Sequence, residues 1–169
     1  MPILADISLV ASDKVRGLAA WWVTHSTSGA LPDRRDFDPG QFARLLPNML
    51  IADVEPDPFR IRYRLVGTKV ADVMNIDFTG RYLDELLDGA SDTPWLDYYA
   101  SAYASRTPIY GSVTEPTMAG GTFTFEFGMF PVTLGDGSVR QFLSIEDYFE
   151  FQLTSAELMP WSLRSSIGI

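Results

Sequence analysis

Cysteine is absent from all 169 residues. The chain therefore has no disulfide framework, no thiolate nucleophile and no cysteine-ligated metal. Histidine is nearly absent: His25 stands alone and cannot build a zinc site without other ligands. Positive charge is scarce as well, with 13 lysines and arginines against 22 aspartates and glutamates and a formal net charge of −9. Nucleic-acid-binding domains are expected to be basic, so this balance argues against nucleic acid, and it repels anionic membranes. Long apolar runs are missing too. The stretch LAAWWV falls far short of the roughly 20 residues that span a bilayer. The start, MPILADISLVAS, has no basic n-region and is interrupted by Asp6, so it does not read as a signal peptide. Together these absences point to a cytoplasmic protein with neither nucleic acid nor membrane as its partner.

What is present is an ordinary globular composition, 46% hydrophobic and 21% charged, in a chain of one-domain length. Ser12 is placed to cap a helix whose apolar positions Val15, Leu18, Ala19, Trp22 and Val23 follow the 3.6-residue period, with Trp21 widening the stripe. A stripe so apolar must pack on the domain or on another subunit. In FDPGQF, Asp38 reads as an N-cap, Pro39 as N1 and Gln41 as the third residue of a capping box, with Phe37 and Phe42 as a hydrophobic staple. This predicts a second helix ending near Leu46, before Pro47.

Strand signals follow. MLIADV and FRIRYRLV flank the turn EPDP and predict an antiparallel hairpin. Alternation turns Phe59, Ile61, Tyr63 and Leu65 inward and Arg60, Arg62 and Arg64 outward. The arginine face then reads as solvated, with an acidic partner surface as its functional alternative. Gly67 ends this strand and is expected to supply an unusual backbone conformation. TKVADVMN and RYLDELL read as short helices, with Thr68 and Thr79 as caps. A longer helix runs from Thr93-Pro94 to Arg106. Three strands close the domain, and Phe123, Phe125, Phe127 and Met129 share one face of the middle one. Gly120-Gly121 and the GDG of 135–137 read as turns, not phosphate cradles. The tail carries a weak capping box, Thr154 with Glu157. The order of elements predicts α+β, with a five-stranded antiparallel sheet and helices on one face. Residues 1–30 form an N-terminal flanking helix, 31–151 the domain and 152–169 a tail.

The segments LPDRRDFDP, LLPNMLIADVE, FRIRYRLVGTKVADVMN, DFTGRYLDEL and RTPIYG resemble, in order and spacing, a single-domain bacterial PAS-like family, the PAS_5 type common in alphaproteobacteria. The resemblance covers about residues 31 to 147, and RYRLVGT followed by FTGR is its most specific part. It implies a PAS-like fold whose sheet curves around a cavity walled by helices, used for ligand sensing or protein contacts. It implies no particular ligand. A haem-binding PAS domain usually has an axial histidine on its central helix, and 93–106 has none. Photoactive flavin and thiol-linked chromophores both require a cysteine. No cofactor is therefore expected.

In that topology Trp95, Tyr99 and Tyr103, on one helix face, lie opposite Tyr63, Phe125, Phe127 and Met129. Tyrosine hydroxyls need hydrogen-bond partners when buried, so several in one place suggest a lined cavity. Phe78 and Tyr82 are expected to close its mouth. Glu126 has outward parity on its strand, and no catalytic motif is visible. The leading expectation is a non-enzymatic sensory module. It binds a small, mainly apolar ligand between the 93–106 helix and the sheet and signals through a partner protein. The rival is a homodimeric interaction module with a filled core, whose interface would use Val15, Leu18, Trp21 and Trp22. A third reading is a cavity-type enzyme holding a carboxylate of raised pKa.

Overall fold

The computed structural model describes residues 3, 4, 6–86, 94–116 and 121–149. Its frame is a five-stranded antiparallel sheet of β1 (Met49–Pro56), β2 (Phe59–Val66), β3 (Ile109–Pro116), β4 (Thr122–Val132) and β5 (Gln141–Asp147), in the order β2-β1-β5-β4-β3. The predicted hairpin is present, and β1 pairs with β2 on one side and β5 on the other. The first and last parts of the domain thus meet in the middle of the sheet. Both faces are covered, and each has its own core.

On the inner face Leu50, Ala52, Ile61, Tyr63, Phe142 and the Phe123–Met129 row pack beneath α2 (Thr68–Met74), α3 (Leu83–Leu86) and α4 (Trp95–Ser105). On the outer face Met49, Ile51, Phe130, Val132, Leu143 and Ile145 pack beneath α1 (Asp13–His25). The Ser12 side chain accepts from the Val15 backbone N–H at 3.1 Å, the expected helix start. Gly128 lets this helix come close: a Cβ there would meet Val15 at 3.1 Å and the Phe130 ring at 2.6 Å.

The packing of α1 answers one open question. Val15 and Leu18 are fully buried, Trp21 is buried against Phe37, and the Trp22 indole N–H donates to the Pro131 carbonyl at 2.7 Å. These four residues cover the chain's own sheet. Val15, Leu18 and Trp21 thus have their apolar surface buried within the chain rather than open to a second subunit, while Trp22 stays half-buried.

Three local expectations also change. Residues 39–45 form successive turns followed by a 3-10 turn at Leu46–Asn48, not an α-helix. Asp38 accepts from the Gly40 N–H at 2.8 Å instead of from Gln41, so no capping box forms. Gly40 and Pro47 leave too short a run for a stable helix, yet the Phe37–Phe42 stack predicted as a staple is there, with centroids 4.8 Å apart. In β2 a bulge between Ile51 and Ala52 of the partner strand shifts the register. Leu65 therefore pairs with Ile51 and lies 40% exposed on the outer side, not in the core. Gly67 has an ordinary φ of −64°. Glycine is required there by space, because a Cβ would sit 2.4 Å from the Pro47 carbonyl oxygen.

Thr68 is the first residue of α2 rather than its cap. Thr79 donates to Asp77 within a turn, the hydroxyl at 2.6 Å. Thr93, Gly120 and the tail with Thr154 and Glu157 lie outside the described residues. Among the described residues, no helix is long and apolar enough to cross a membrane.

Candidate functional site

The inner face of the sheet is aromatic, and α4 explains its geometry. Tyr98, Tyr99 and Ala102 are the buried positions of this helix, with Trp95 and Tyr103 half-buried at its edge. Trp95 meets the Phe127 ring edge-on at 5.1 Å and lies stacked with Phe125 at 6.2 Å. Tyr99 meets Phe142 edge-on at 5.0 Å, and Tyr103 packs on Phe59 at 5.3 Å. Phe78, from the turn after α2, meets Tyr63 edge-on at 4.8 Å. Tyr63, Phe78, Trp95, Tyr99, Tyr103, Phe125, Phe127 and Met129 therefore share one core.

Tyr82 does not join them, and its expected place at the mouth is corrected. Residues 80–82 pair along the free edge of β2: the Tyr63 N–H donates to the Arg81 carbonyl at 2.9 Å, and Tyr82 bridges to Arg62. The Tyr82 ring then lies over the outward arginines. The Arg60 guanidinium sits 3.6 Å from its centroid, and its hydroxyl donates to Glu55 at 2.6 Å. Asp84 holds Arg60 at 2.9 Å. The Arg60 and Arg62 face is therefore covered by the chain's own aromatic ring and acids, which also closes a sheet edge.

Within the aromatic core lies a polar cluster in which Tyr63 and Tyr99, expected from the sequence, meet Ser144, Glu146 and Tyr148, which the sequence did not mark as a site. Ser144 and Glu146 of β5, and Tyr148 just after it, lie on the inner side near Tyr63 of β2 and Tyr99 of α4. The Tyr99 hydroxyl is 3.2 Å from the Ser144 hydroxyl and is hydrogen-bonded to Tyr63. The Tyr148 hydroxyl donates to the Glu146 carboxylate. The Glu146 carbonyl accepts from the Asn48 amide at 2.7 Å. Burial raises the Tyr99 phenol to about 12 and takes Tyr63 and Tyr148 well above the usual phenol range. Burial also pushes the Glu146 carboxyl up to about 7. The Tyr148 hydrogen bond opposes that shift, and the charge of Glu115 adds to it. The result is three neutral phenols, one hydroxyl and one half-buried carboxyl poised near neutrality, gathered against a wall of rings. Glu126 faces outward as expected, where its carboxylate accepts from the Ala11 and Ser12 N–H groups at 3.2 and 2.7 Å.

Against known families, a model of the PAS domain matches residues 10–145. The chain belongs to the PAS domain family. Among solved structures, the dark state of the blue-light photoreceptor Aureochrome1 LOV is 15% identical, over 69% of this chain and 86% of that one, with a TM-score of 0.50. An RNA-binding Light-Oxygen-Voltage receptor is 22% identical over 71% of this chain, with a TM-score of 0.48. The chain spans about a third of that receptor's length, 34%. A LOV protein of Rhodobacter sphaeroides is 12% identical over 71% of this chain and 73% of that one, with a TM-score of 0.47. No curated protein matches. The family match and the Aureochrome1 likeness show the PAS fold and stop there.

A cavity leaves its lining side chains exposed to it. Tyr99 is 2% exposed, Phe125 and Phe127 1%, and Phe142 not at all. These four rings are packed, while Trp95, Leu96 and Tyr103 at the edge of the same core stay half-buried. The sequence offers no thiol for a covalent adduct.

Proposed function

We propose that this PAS domain is a non-enzymatic sensory or regulatory module. It takes up a small, mainly apolar ligand with one polar end and passes its occupancy to a partner protein. The observation that carries this reading is the polar cluster of Tyr63, Tyr99, Ser144, Glu146 and Tyr148 inside an aromatic core. Phenylalanine at the tyrosine positions would fill the same space without hydroxyls to satisfy. Neutral phenols beside a carboxyl offer donors and acceptors to a phenol, amide or aldehyde group.

The ligand enters at the half-buried edge of Trp95, Leu96 and Tyr103, and α4 moves outward to admit it. Such a ligand shifts the domain only if it binds the opened arrangement better than the packed one. The short helices α2 and α3 are the elements that would relay the change. Native mass spectrometry of freshly purified protein, with thermal-shift screening of small phenols and aromatic amides, tests the reading. A bound mass, or a stabilisation lost in Tyr99→Phe, supports it. An unliganded protein that no compound stabilises ends it.

The filled-core interaction module is favoured by a different fact, the near-zero exposure of Tyr99, Phe125 and Phe127. If it holds, the protein forms homodimers through a surface other than the buried Val15, Leu18 and Trp21. Sedimentation then gives twice the chain mass with no ligand dependence. A cavity enzyme would find its raised carboxyl in Glu146. Tyr148, the phenol bonded to that carboxyl, is 1% exposed, which leaves a substrate no open approach on that side.

A further inference from the structure

The outer face of the sheet carries a crevice of about 250 Å³ lined by Arg34, Ile51, Arg64, Leu134 and Gln141. Arg34 belongs to a 3-10 turn at Arg34–Asp36 that is tied to the end of β4, its backbone N–H donating to the Thr133 carbonyl at 2.9 Å. Arg64 is the extra residue of the β2 bulge, so the irregularity that turns Leu65 outward also delivers this guanidinium to the crevice. The two cations are near enough for Arg64 to oppose the charge on Arg34.

Almost nothing neutralises them. Among the described residues the Arg34 side chain has no hydrogen bond or ion pair. Its one partner is the Phe37 ring, 5.5 Å away. Asp33, beside it in the chain, is held by Arg35 at 2.6 and 2.9 Å. Asp53 reaches Arg64 only at 3.5 Å, and its other oxygen accepts from the Gln141 amide at 2.6 Å. Elsewhere in this acidic chain Arg16, Arg35, Arg60, Arg81 and Arg140 each hold an acid of their own. Two arginines lining one crevice, with one carboxylate that reaches only Arg64 and at 3.5 Å, make an anion site in charge. The apolar part of the lining is Leu134, 47% exposed, and Ile51.

We infer that this crevice binds a small organic carboxylate with a short apolar tail, the carboxylate between Arg34 and Arg64 and the tail against Leu134 and Ile51. The space lies below the roughly 300 Å³ at which drug-sized sites begin, which limits the tail to a short chain. The site is separate from the interior cluster and stands whether or not that cluster takes a ligand.

Calorimetric titration and amide NMR of the whole chain, with octanoate as probe and octanol and acetate as controls, decide the matter. Octanoate should bind, weaken with added salt, and shift the amides of residues 34, 64 and 134. Arg64→Gln, Arg34→Gln and Leu134→Ser should each weaken it by about tenfold, the scale of a lost charge-assisted contact or apolar wall. Octanol and acetate should bind at least as weakly as those variants bind octanoate. Arg64 and Leu134 are exposed, so their variants keep the fold, which circular dichroism verifies. The inference falls if octanoate fails to bind at millimolar concentration, or if Arg64→Gln and Leu134→Ser bind it unchanged. It falls equally if Tyr99→Phe abolishes binding that Arg64→Gln leaves intact, since the ligand then sits in the interior.

Discussion

Tyr99 holds the interior cluster together, because its hydroxyl meets Ser144 from β5 and Tyr63 from β2 at once. Tyr99→Phe keeps the ring on Phe142 and removes only that junction. It should lower stability by about 1 kcal/mol, read as a shifted urea midpoint with unchanged slope. A change within error would mean that the phenols are not bonded to one another in solution. At this scale the row Phe123, Phe125, Phe127 and Met129 is legible in the sequence, since polar residues alternate with it through Glu126. Glu146 is not legible. Leu143 and Ile145 face α1 while Phe142 and Tyr148 join the inner core, so β5 is buried on both sides, and the alternation of Ser144 and Glu146 with Leu143 and Ile145 reads as a solvated face although these residues turn inward. Leu65 is misread for another reason: strict alternation cannot foresee a bulge that inserts one residue.

The elements are pinned by a few close contacts. Gly67 joins β2 to α2 where the 3-10 turn before β1 passes within touching distance. Gly67→Ala places a methyl 2.4 Å from one backbone carbonyl oxygen and 2.5 Å from another, neither of which belongs to a flexible side chain. The expected cost is about 3 kcal/mol, seen as a lowered melting temperature and faster proteolysis between residues 46 and 75. A melting temperature equal to wild type would show that the turn yields freely.

The start of α1 is pinned differently. Ser12 caps the helix and donates to Asp147 at 2.7 Å, and Lys14 reaches the same carboxylate at 2.7 Å. Ser12→Ala should therefore cost about 1–2 kcal/mol, more than an isolated cap, because it also strips a partner from buried Asp147. Amide exchange would locate the loss in residues 12–18; a loss spread evenly over the domain would contradict this. The cap itself is legible from Ser12 and the apolar period after it. Its acidic partners on β4 and β5 are not, since they lie 114 and 135 positions away in the chain.

For the molecule as a whole, the described carboxyls pull stability in opposite directions as pH changes. Hydrogen bonds and Lys14 hold Asp147 below the usual carboxylate range despite its burial, and Arg35 takes Asp33 down to about 2. Groups lowered by folding stabilise the native state above their unfolded pKa, so their contribution fades as pH falls below about 4. Glu146 works the other way. Folding raises it from 4.5 to about 7, so its contribution is complete below pH 4.5 and is lost as pH climbs through 7. The melting temperature should therefore fall on both sides of mildly acidic pH. On the alkaline side the fall belongs to Glu146, with Glu115 and the phenols of Tyr63, Tyr99 and Tyr148 as the titratable groups around it. Glu146→Gln keeps an acceptor for Tyr148 and removes the charge. Between pH 5 and 8 its melting temperature should change less than that of the wild type, while the acid limb set by Asp147 and Asp33 stays where it was. Parallel curves for the two proteins across that range would place Glu146 in water rather than in the core. The interior cluster would then lose the carboxyl that makes it a site for a polar ligand end.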